Sequence, residues 1–397
     1  MNRKVDVTLL GFTLPDVEME SIFQRDPAMP TQTHAFAWAV VRALQSAGLN
    51  VGLLSTEPVS NFPRMPRLLF RGHSFVVGEA EGKSLSFVNI LGVKHVTRFI
   101  SCIVSGRTVL RQWRPRVLLV HGVHSPFLWY GVIARRFGVR TVIIVTDPPG
   151  VIHPTDGPIS RVLKLADVRL VRAALARVDG VVALTEQLAL DYAKGRPFLV
   201  MEGIHSGQMN ELRPAASGRD LSIVYAGNLA AASGVDRLIL AVEGLEDIHV
   251  SLKIYGKGEL AEWIDGRAKR DARVRPVEFA PRSEVMSAYL RADLLVQPRP
   301  MNQPVGRYSF PSKLVEYMAS GTPVLTTRLE GVPAEYEPYV YWIDDDSAEG
   351  IRIAIRTVLA IPAEERRKKG EFAAAFVHDQ LSSATQGARF RRFFELI

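Results

Sequence analysis

Residues 305–335 constrain this chain more than any other stretch. Phe310-Pro311-Ser312 reads as a helix start: proline suits the cap region, and the Ser312 oxygen is placed to accept from a free backbone N–H. Leu314, Val315, Met318 and Ala319 then set an apolar face at helical spacing. Gly321 fits a left-handed stop, and Thr322-Pro323 prevents continuation. A short strand is predicted over 324–327, and Gly331-Val332-Pro333 predicts another helical segment with Glu335 in its first turn. A helix N-terminus facing a cleft offers unpaired N–H groups and the positive end of a dipole, which suits phosphate. Lys313 would add a full charge there, and Glu316 a carboxylate suited to a sugar's vicinal hydroxyls. The plainer account is an ordinary helix–strand unit with a solvated lysine and glutamate.

A chain of 397 residues predicts two domains, each able to bury its own core. An apolar content of 47% with 23% charged residues is that of a globular protein. No apolar run approaches the roughly 18–20 residues that span a bilayer. Arg3-Lys4 ahead of residues 7–14 imitates a signal peptide, but Asp6 precedes the run and no small-residue cleavage site follows. A first strand is expected there instead. The single cysteine, Cys102, excludes an internal disulfide, fits a reducing compartment and is too little for a thiolate metal site.

The net charge of +8 is unevenly placed. Residues 1–204 hold 24 Lys and Arg against 15 Asp and Glu, a surplus of 9. Such a surplus points to an acidic partner. The cations do not alternate with stacking aromatics, so an anionic membrane surface is expected rather than nucleic acid.

In chain order, a strand is predicted over 5–10, a long polar loop over 13–32, a helix over 33–47 and a strand over 51–55, the opening of a parallel α/β domain. Residues 68–77 read as β. Residues 91–113 read as a basic amphipathic helix, with Leu91, Val93, Val96, Phe99, Ile100, Ile103 and Val104 alternating with Lys94, Arg98, Arg107, Arg111 and Arg114. Such a helix suits an anionic lipid surface, and a core-packed helix with a charged outer face is the alternative. Strands at 117–120 and 141–145 lead into His124 and Asp147, polar residues at strand ends where α/β sites assemble. Residues 205–220 lack periodicity and read as an interdomain linker. A second domain restarts with the strand 221–226, followed by Gly227 and Asn228.

The uninterrupted run at 310–324, Phe-Pro-Ser-Lys-Leu-Val-Glu-Tyr-Met-Ala-Ser-Gly-Thr-Pro-Val, closely resembles the donor segment of retaining GT-B glycosyltransferases of family 4, above all those of bacterial polysaccharide synthesis. The resemblance is strong from 221 to 333 and looser before. It implies two Rossmann-like domains facing across a cleft: residues 1–204 on the acceptor side, a donor domain over 221–375, and a final helix over 376–397 packing back on the first domain. It implies that Glu316 holds the nucleotide ribose, that Ser312, Lys313 and the helix N-terminus hold the diphosphate, that Gly227 and Asn228 let the backbone approach it, and that Gly256 and Gly258 form a turn near the donor cleft. Arg282 would lie near the base, and His124 and Asp147 would position the donor sugar or the acceptor hydroxyl.

The chain departs from the family in four places. The Gly-Gly turn after the first strand is missing, with Met29-Pro30-Thr31-Gln32-Thr33 in its stretch. Asn228 and Ser233 stand where the family has Arg and Lys, and Tyr308 where it has the first of two glutamates. Lys313, Arg282, Arg299 and Arg307 are the cations left to hold the donor.

Two further motifs are set aside. Gly256-Lys257-Gly258 matches the dinucleotide fingerprint in form, but it follows the second strand of its domain. Asp344-Asp345-Asp346 has the spacing of a metal-binding Asp-x-Asp, yet it directly precedes a predicted helix and reads as a cap. No protein-bound metal and no cofactor is expected. The expected function is transfer of a sugar from a nucleoside-diphosphate sugar, with retention, to a saccharide or lipid-linked saccharide in cell-surface polysaccharide synthesis. A cytoplasmic enzyme, peripheral on the inner face of the cell membrane, fits that function. A nucleotide-sugar epimerase of the same shape, or a non-catalytic nucleotide-sugar-binding protein, are the alternatives.

Overall fold

Short apolar runs become parallel strands in both halves of the chain. The computed structural model describes residues 4–26, 31–150, 157–207, 220–303 and 306–397. Met29, Pro30, Val305 and most of the predicted linker therefore lie outside the described residues. Two compact units are formed, Met1–Ser206 with Ser383–Ile397, and Gly207–Ser382.

In the first unit the strands are β1 (Val7–Gly11), β2 (Val51–Ser55), β3 (Leu69–Phe70), β4 (Ser74–Val77), β5 (Ala80–Ser84), β6 (Phe87–Val88), β7 (Val117–His121), β8 (Arg140–Val145), β9 (Gly180–Ala183) and β10 (Phe198–Val200). The main sheet runs β10-β9-β8-β7-β1-β2-β5-β4, with β4 antiparallel to β5. The chain leaves β1 through β2 on one side and returns at β7 on the other, so the strand order reverses between β1 and β7. β1, β2 and β7 are buried along their whole length, which is why they read as continuous apolar runs rather than alternating ones. The last helix, Ser383–Leu396, lies against the helix Thr31–Ser46. Gly387 permits that approach, since a Cβ there would meet the Ala43 carbonyl oxygen at 2.0 Å. Ser46 Oγ donates to the Ser383 carbonyl at 2.9 Å.

The second unit holds β11 (Leu221–Asn228), β12 (Val250–Lys257), β13 (Val274–Glu278), β14 (Leu294–Gln297), β15 (Val324–Thr327) and β16 (Tyr341–Ile343). They form one parallel sheet in the order β13-β12-β11-β14-β15-β16. Here the order reverses between β11 and β14. Ile223, Leu252, Ile254, Leu294, Val296 and Leu325 form the core on one face, and Val224, Leu295 and Val324 pack with Leu314, Tyr317 and Met318 on the other.

Three expectations are corrected. The predicted loop 13–32 contains the helix Asp16–Arg25, with Asp16 and Glu18 in its first turn where they complement the dipole. Only Met19 of that helix is buried, so its apolar period is too weak to stand out in the sequence. The C-terminal region is not one helix but two, Ala363–Gln380 and Ser383–Leu396. The third correction concerns 91–113, which is helical as Val93–Ser101, a π-helical turn Cys102–Gly106 and Arg107–Trp113. Its polarity is the reverse of the expected one at Lys94 and Arg98, which are 6% and 3% exposed. Lys94 Nζ donates to the Val59 carbonyl at 2.7 Å, and Arg98 Nη2 to the Glu57 carbonyl at 2.6 Å. The Arg98 guanidinium also stands 4.3 Å over the Phe87 ring. Two carbonyls of the chain after β2 thus take these cations inside, and Val93, Val96 and Ile100 of the helix Val93–Ser101 face out.

Candidate active site

Ligands of open α/β sheets gather where the strand order reverses, outside the carboxyl ends of the strands. In the second unit that place is framed by the segments after β11 and β14. The two are tied together: Gln303 Nε2 donates to the Ala232 carbonyl at 2.6 Å, and Gly234 is so close to Pro298 that a Cβ would meet its carbonyl oxygen at 1.9 Å. Gly234 also has φ +72°, a left-handed backbone that glycine adopts without strain.

The segment after β14 delivers the helix Ser312–Ala319. Pro311 is its N-cap, and no side chain caps it, so the expected Ser312 cap is not formed. Ser312 is the first helical residue and is exposed. A cap residue must itself be non-helical for its oxygen to turn back onto the amides, and Ser312 already lies inside the helix. The first-turn amides stay uncapped by side chains. Lys313 Nζ and Glu316 Oε2 form an ion pair at 2.8 Å, one turn apart and partly exposed.

The helix is held to β11 from below. The Tyr317 hydroxyl accepts from the Ala226 amide at 2.7 Å and donates to the Ala226 carbonyl at 3.1 Å. Its ring meets Tyr289 edge-on at 5.1 Å. Burial pushes the Tyr317 and Tyr289 phenols well up, and Tyr225 up to about 12. These buried tyrosines are therefore neutral. Glu316 and Arg282 both act electrostatically on the Tyr289 hydroxyl. Arg282 itself is exposed at the start of the helix Arg282–Arg291.

Backbone without side chains lines the neighbouring strand ends. Gly227 of β11 is in register with Gly256 of β12, and a Cβ on Gly256 would meet the Gly227 carbonyl oxygen at 1.9 Å. Asn228 is exposed and is in register with Lys257. Lys257 Nζ stands 3.7 Å over the Phe279 ring. Arg299 Nη1 donates to Ser309 Oγ at 2.7 Å, and Arg299 also acts electrostatically on Tyr225, whose hydroxyl donates to the Asn228 carbonyl at 2.8 Å. Arg307 is exposed and donates to the Tyr308 hydroxyl at 2.5 Å.

In the first unit His124 sits beside the reversal between β1 and β7, as the N-cap of the helix Ser125–Ala134. Its ring lies 4.6 Å from Phe127, 4.9 Å from His95 and 5.6 Å from Phe12, the residue after β1. Arg98 Nη1 is 3.5 Å from His124 Nε2. A guanidinium can only donate, so Nε2 accepts and the ring proton belongs on Nδ1. Burial first, then the charge of Arg98, hold the His124 pKa well below the usual range, and the ring is neutral. Asp147 is exposed two residues beyond the end of the adjacent β8. His124 and Asp147 thus stand on adjacent strand ends, and among the described residues no hydrogen bond joins them.

Family comparison decides what this arrangement belongs to. The family model "Glycosyl transferase 4-like domain" matches residues 33–198, and "Glycosyl transferases group 1" matches residues 212–376. The chain belongs to the GT-B glycosyltransferases. Solved structures share the whole fold. Sucrose-phosphate synthase from Thermosynechococcus elongatus superposes with a TM-score of 0.68 at 14% identity, covering 99% of this chain and 100% of that one. The catalytic domain of starch synthase IV from Arabidopsis thaliana, bound to ADP and acarbose, gives 0.66 at 11% identity, covering 99% of each. HepE from Anabaena in complex with UDP gives 0.62 at 13% identity, covering 99% and 100%. No curated protein matches by sequence.

Within this GT-B glycosyltransferase the acidic run 344–346 is fully engaged. Asp344 accepts from Arg328 at 2.6 Å, Asp345 from the Ser347 amide at 2.9 Å, and Asp346 from Arg237 and the Met301 amide, each at 2.5 Å. Ser347, not Asp346, is the N-cap of the helix Ala348–Ala360. Among the described residues no group of three or more His, Cys, Asp or Glu side chains is placed to hold a metal ion. Sequence reasoning missed Lys257 as a neighbour of Asn228, and Phe12, His95 and Arg98 around His124. Only the strand register reveals the first. The others come from two separate segments, the residue after β1 and the helix Val93–Ser101, with no shared motif.

Proposed function

We propose that this glycosyltransferase moves a sugar from a nucleoside-diphosphate sugar to a hydroxyl of a lipid-linked saccharide, with retained configuration, in the synthesis of a cell-surface polysaccharide. The observation that carries the donor reading is the meeting, at the β11–β14 reversal, of bare glycine backbone with the uncapped N-terminus of Ser312–Ala319 and its Lys313–Glu316 pair. UDP in the HepE complex and ADP in the starch synthase complex support a nucleoside diphosphate as the ligand class.

In the proposed reaction the bond between the sugar C1 and the diphosphate oxygen breaks, and a bond from the acceptor oxygen to C1 forms on the same face. The acceptor proton passes to the leaving diphosphate. The greatest electrostatic demand is the charge that grows on that diphosphate. Helix amides, Ser312 and Lys313 answer it, with Lys257 and Arg299 as the cations beside Asn228. Glu316 holds the ribose and Arg282 lies towards the base. Neutral His124 and exposed Asp147 position the donor sugar or the acceptor hydroxyl.

A panel of nucleoside diphosphates and their sugars in thermal melts identifies the base, because a ligand that binds only the folded state raises the midpoint. Product formed on a lipid-linked acceptor, with the anomeric configuration read by NMR, then tests transfer and retention. Donor conversion without any acceptor would point to an epimerase instead. Binding with neither transfer nor hydrolysis would point to a non-catalytic binder.

A further inference from the structure

The helical segment 93–113 of the first unit presents a face that the described residues of the chain leave open. Val93, Val96, Ile100 and Val104 follow one another at helical spacing and are 42%, 57%, 53% and 65% exposed. Arg107 and Arg111, both exposed, extend the same stripe. The opposite side of this helix carries buried Lys94 and Arg98. A surface helix of a globular protein normally turns its apolar stripe to the core and its charges to water. Along Val93–Ser101 the arrangement is inverted, and the interior is satisfied there by cations bonded to carbonyls, while Val109, Leu110 and Trp113 further along are buried in the ordinary way.

A second helix of the same unit also exposes apolar side chains. Pro158–Leu175 exposes Val162, Leu163, Leu165 and Leu170, together with Arg169 and Arg172. Asp167 of this helix acts electrostatically on His95 of the first.

Charge selects the occupant. Residues 82–146 contain ten Lys and Arg and no Asp or Glu; of these Lys94 and Arg98 are buried, and Arg107 and Arg111 stand exposed on the stripe. A second copy of the chain, paired about a two-fold axis, would set this patch against itself, and cations would meet cations. An anionic bilayer offers an apolar boundary for the valines and isoleucine and phosphate charge for the arginines. We propose that the stripe Val93, Val96, Ile100 and Val104, with Arg107 and Arg111, docks on an anionic lipid bilayer, the apolar side chains entering the acyl boundary. No helix among the described residues is long and apolar enough to cross a membrane, so the contact is interfacial. The inference rests on this surface and not on the acceptor reading above.

The test is flotation of the full chain with vesicles of phosphatidylcholine alone or mixed with phosphatidylglycerol. Binding to the mixed vesicles should exceed that to neutral ones by about tenfold or more at low salt, and fall as salt rises. Arg107→Glu with Arg111→Glu should remove the preference for anionic lipid. Val96→Ser, Ile100→Ser and Val104→Ser together should lower binding by about tenfold or more with the melting midpoint kept, because all three side chains are exposed. A fluorophore on Val96→Cys should be quenched by lipids brominated on the acyl chain, and buried Cys102 should stay unlabelled. Absent binding at low salt, equal binding to neutral vesicles, or wild-type binding by the serine variant overturns the proposal. A dimer in sedimentation that the serine variant dissolves would assign the face to a second copy. Failure to find a lipid-linked acceptor would leave the vesicle result intact, so the two readings fail separately.

Discussion

The Tyr317 hydroxyl takes both backbone groups of Ala226, accepting at 2.7 Å and donating at 3.1 Å. Ala226 lies near the end of β11, past the last residue that β11 shares in register with β14. A strand residue turns its N–H and C=O to the same side, so these two groups would otherwise be left without a ladder partner. One side chain completes the ladder and fixes the helix Ser312–Ala319 against the strand end that carries Gly227. The phenol stays protonated because burial pushes its pKa well up, so the donated bond is kept at every physiological pH.

Tyr317→Phe keeps the ring on Tyr289 and removes only the hydroxyl. It leaves a buried amide and carbonyl unpaired, which costs about 1–3 kcal/mol. The expected outcome is a lower midpoint in denaturant melts together with weaker nucleotide binding. An unchanged midpoint would mean that water replaces the hydroxyl and the pin is dispensable.

Lys313→Ala should reduce transition-state stabilisation by about 2–4 kcal/mol, the size of a lost preorganised oxyanion contact, and the loss should fall mainly on kcat. Glu316→Ala should act on nucleotide affinity, because the ribose changes little during transfer. Since the two side chains are paired at 2.8 Å, their effects should not add in a double-mutant cycle. Turnover by Lys313→Ala within about threefold of wild type would move the charge role to Arg299 and Lys257, to be tested in the same way.

Asp344→Asn with Asp345→Asn should leave turnover nearly unchanged, and EDTA should not abolish it. Both carboxylates are engaged with protein donors, Asp344 with Arg328 and Asp345 with the Ser347 amide. Activity lost in EDTA and restored by manganese would overturn this reading.

His121 supplies a pH dependence of stability. It is 3% exposed, and burial lowers its pKa from 6.5 to about 4. The unfolded chain takes up a proton near pH 6.5 that the folded chain refuses, so the contribution is fully present above pH 6.5 and is lost as pH falls towards 4. Each pH unit in that window corresponds to about 1.4 kcal/mol. Melting midpoints should therefore drop between pH 7 and pH 5, and His121→Asn should flatten the profile. His124, also held neutral by burial, should add to the same slope.

What the sequence determined was local and chemical. Pro311, Gly321 and Thr322-Pro323 bound the helix Ser312–Ala319 through backbone preferences that act within a few residues, and the run at 310–324 carries the family with it. The strands β1, β7, β8, β11 and β14 are legible because their apolar runs can be buried only one way. Tertiary structure decided whatever depends on partners distant in the chain. The periodicity of 91–113 shows two faces but not which one turns inward, since that depends on carbonyls at Glu57 and Val59 able to solvate buried cations. Likewise, Asn228 lacks a charge of its own, and the lysine beside it comes from β12 through strand register. Ser312 resembles a cap in composition, yet the backbone makes it the first helical residue. Hydrogen-bond donors and cations are chosen by where free acceptors lie in three dimensions, and residue order alone does not carry that geometry.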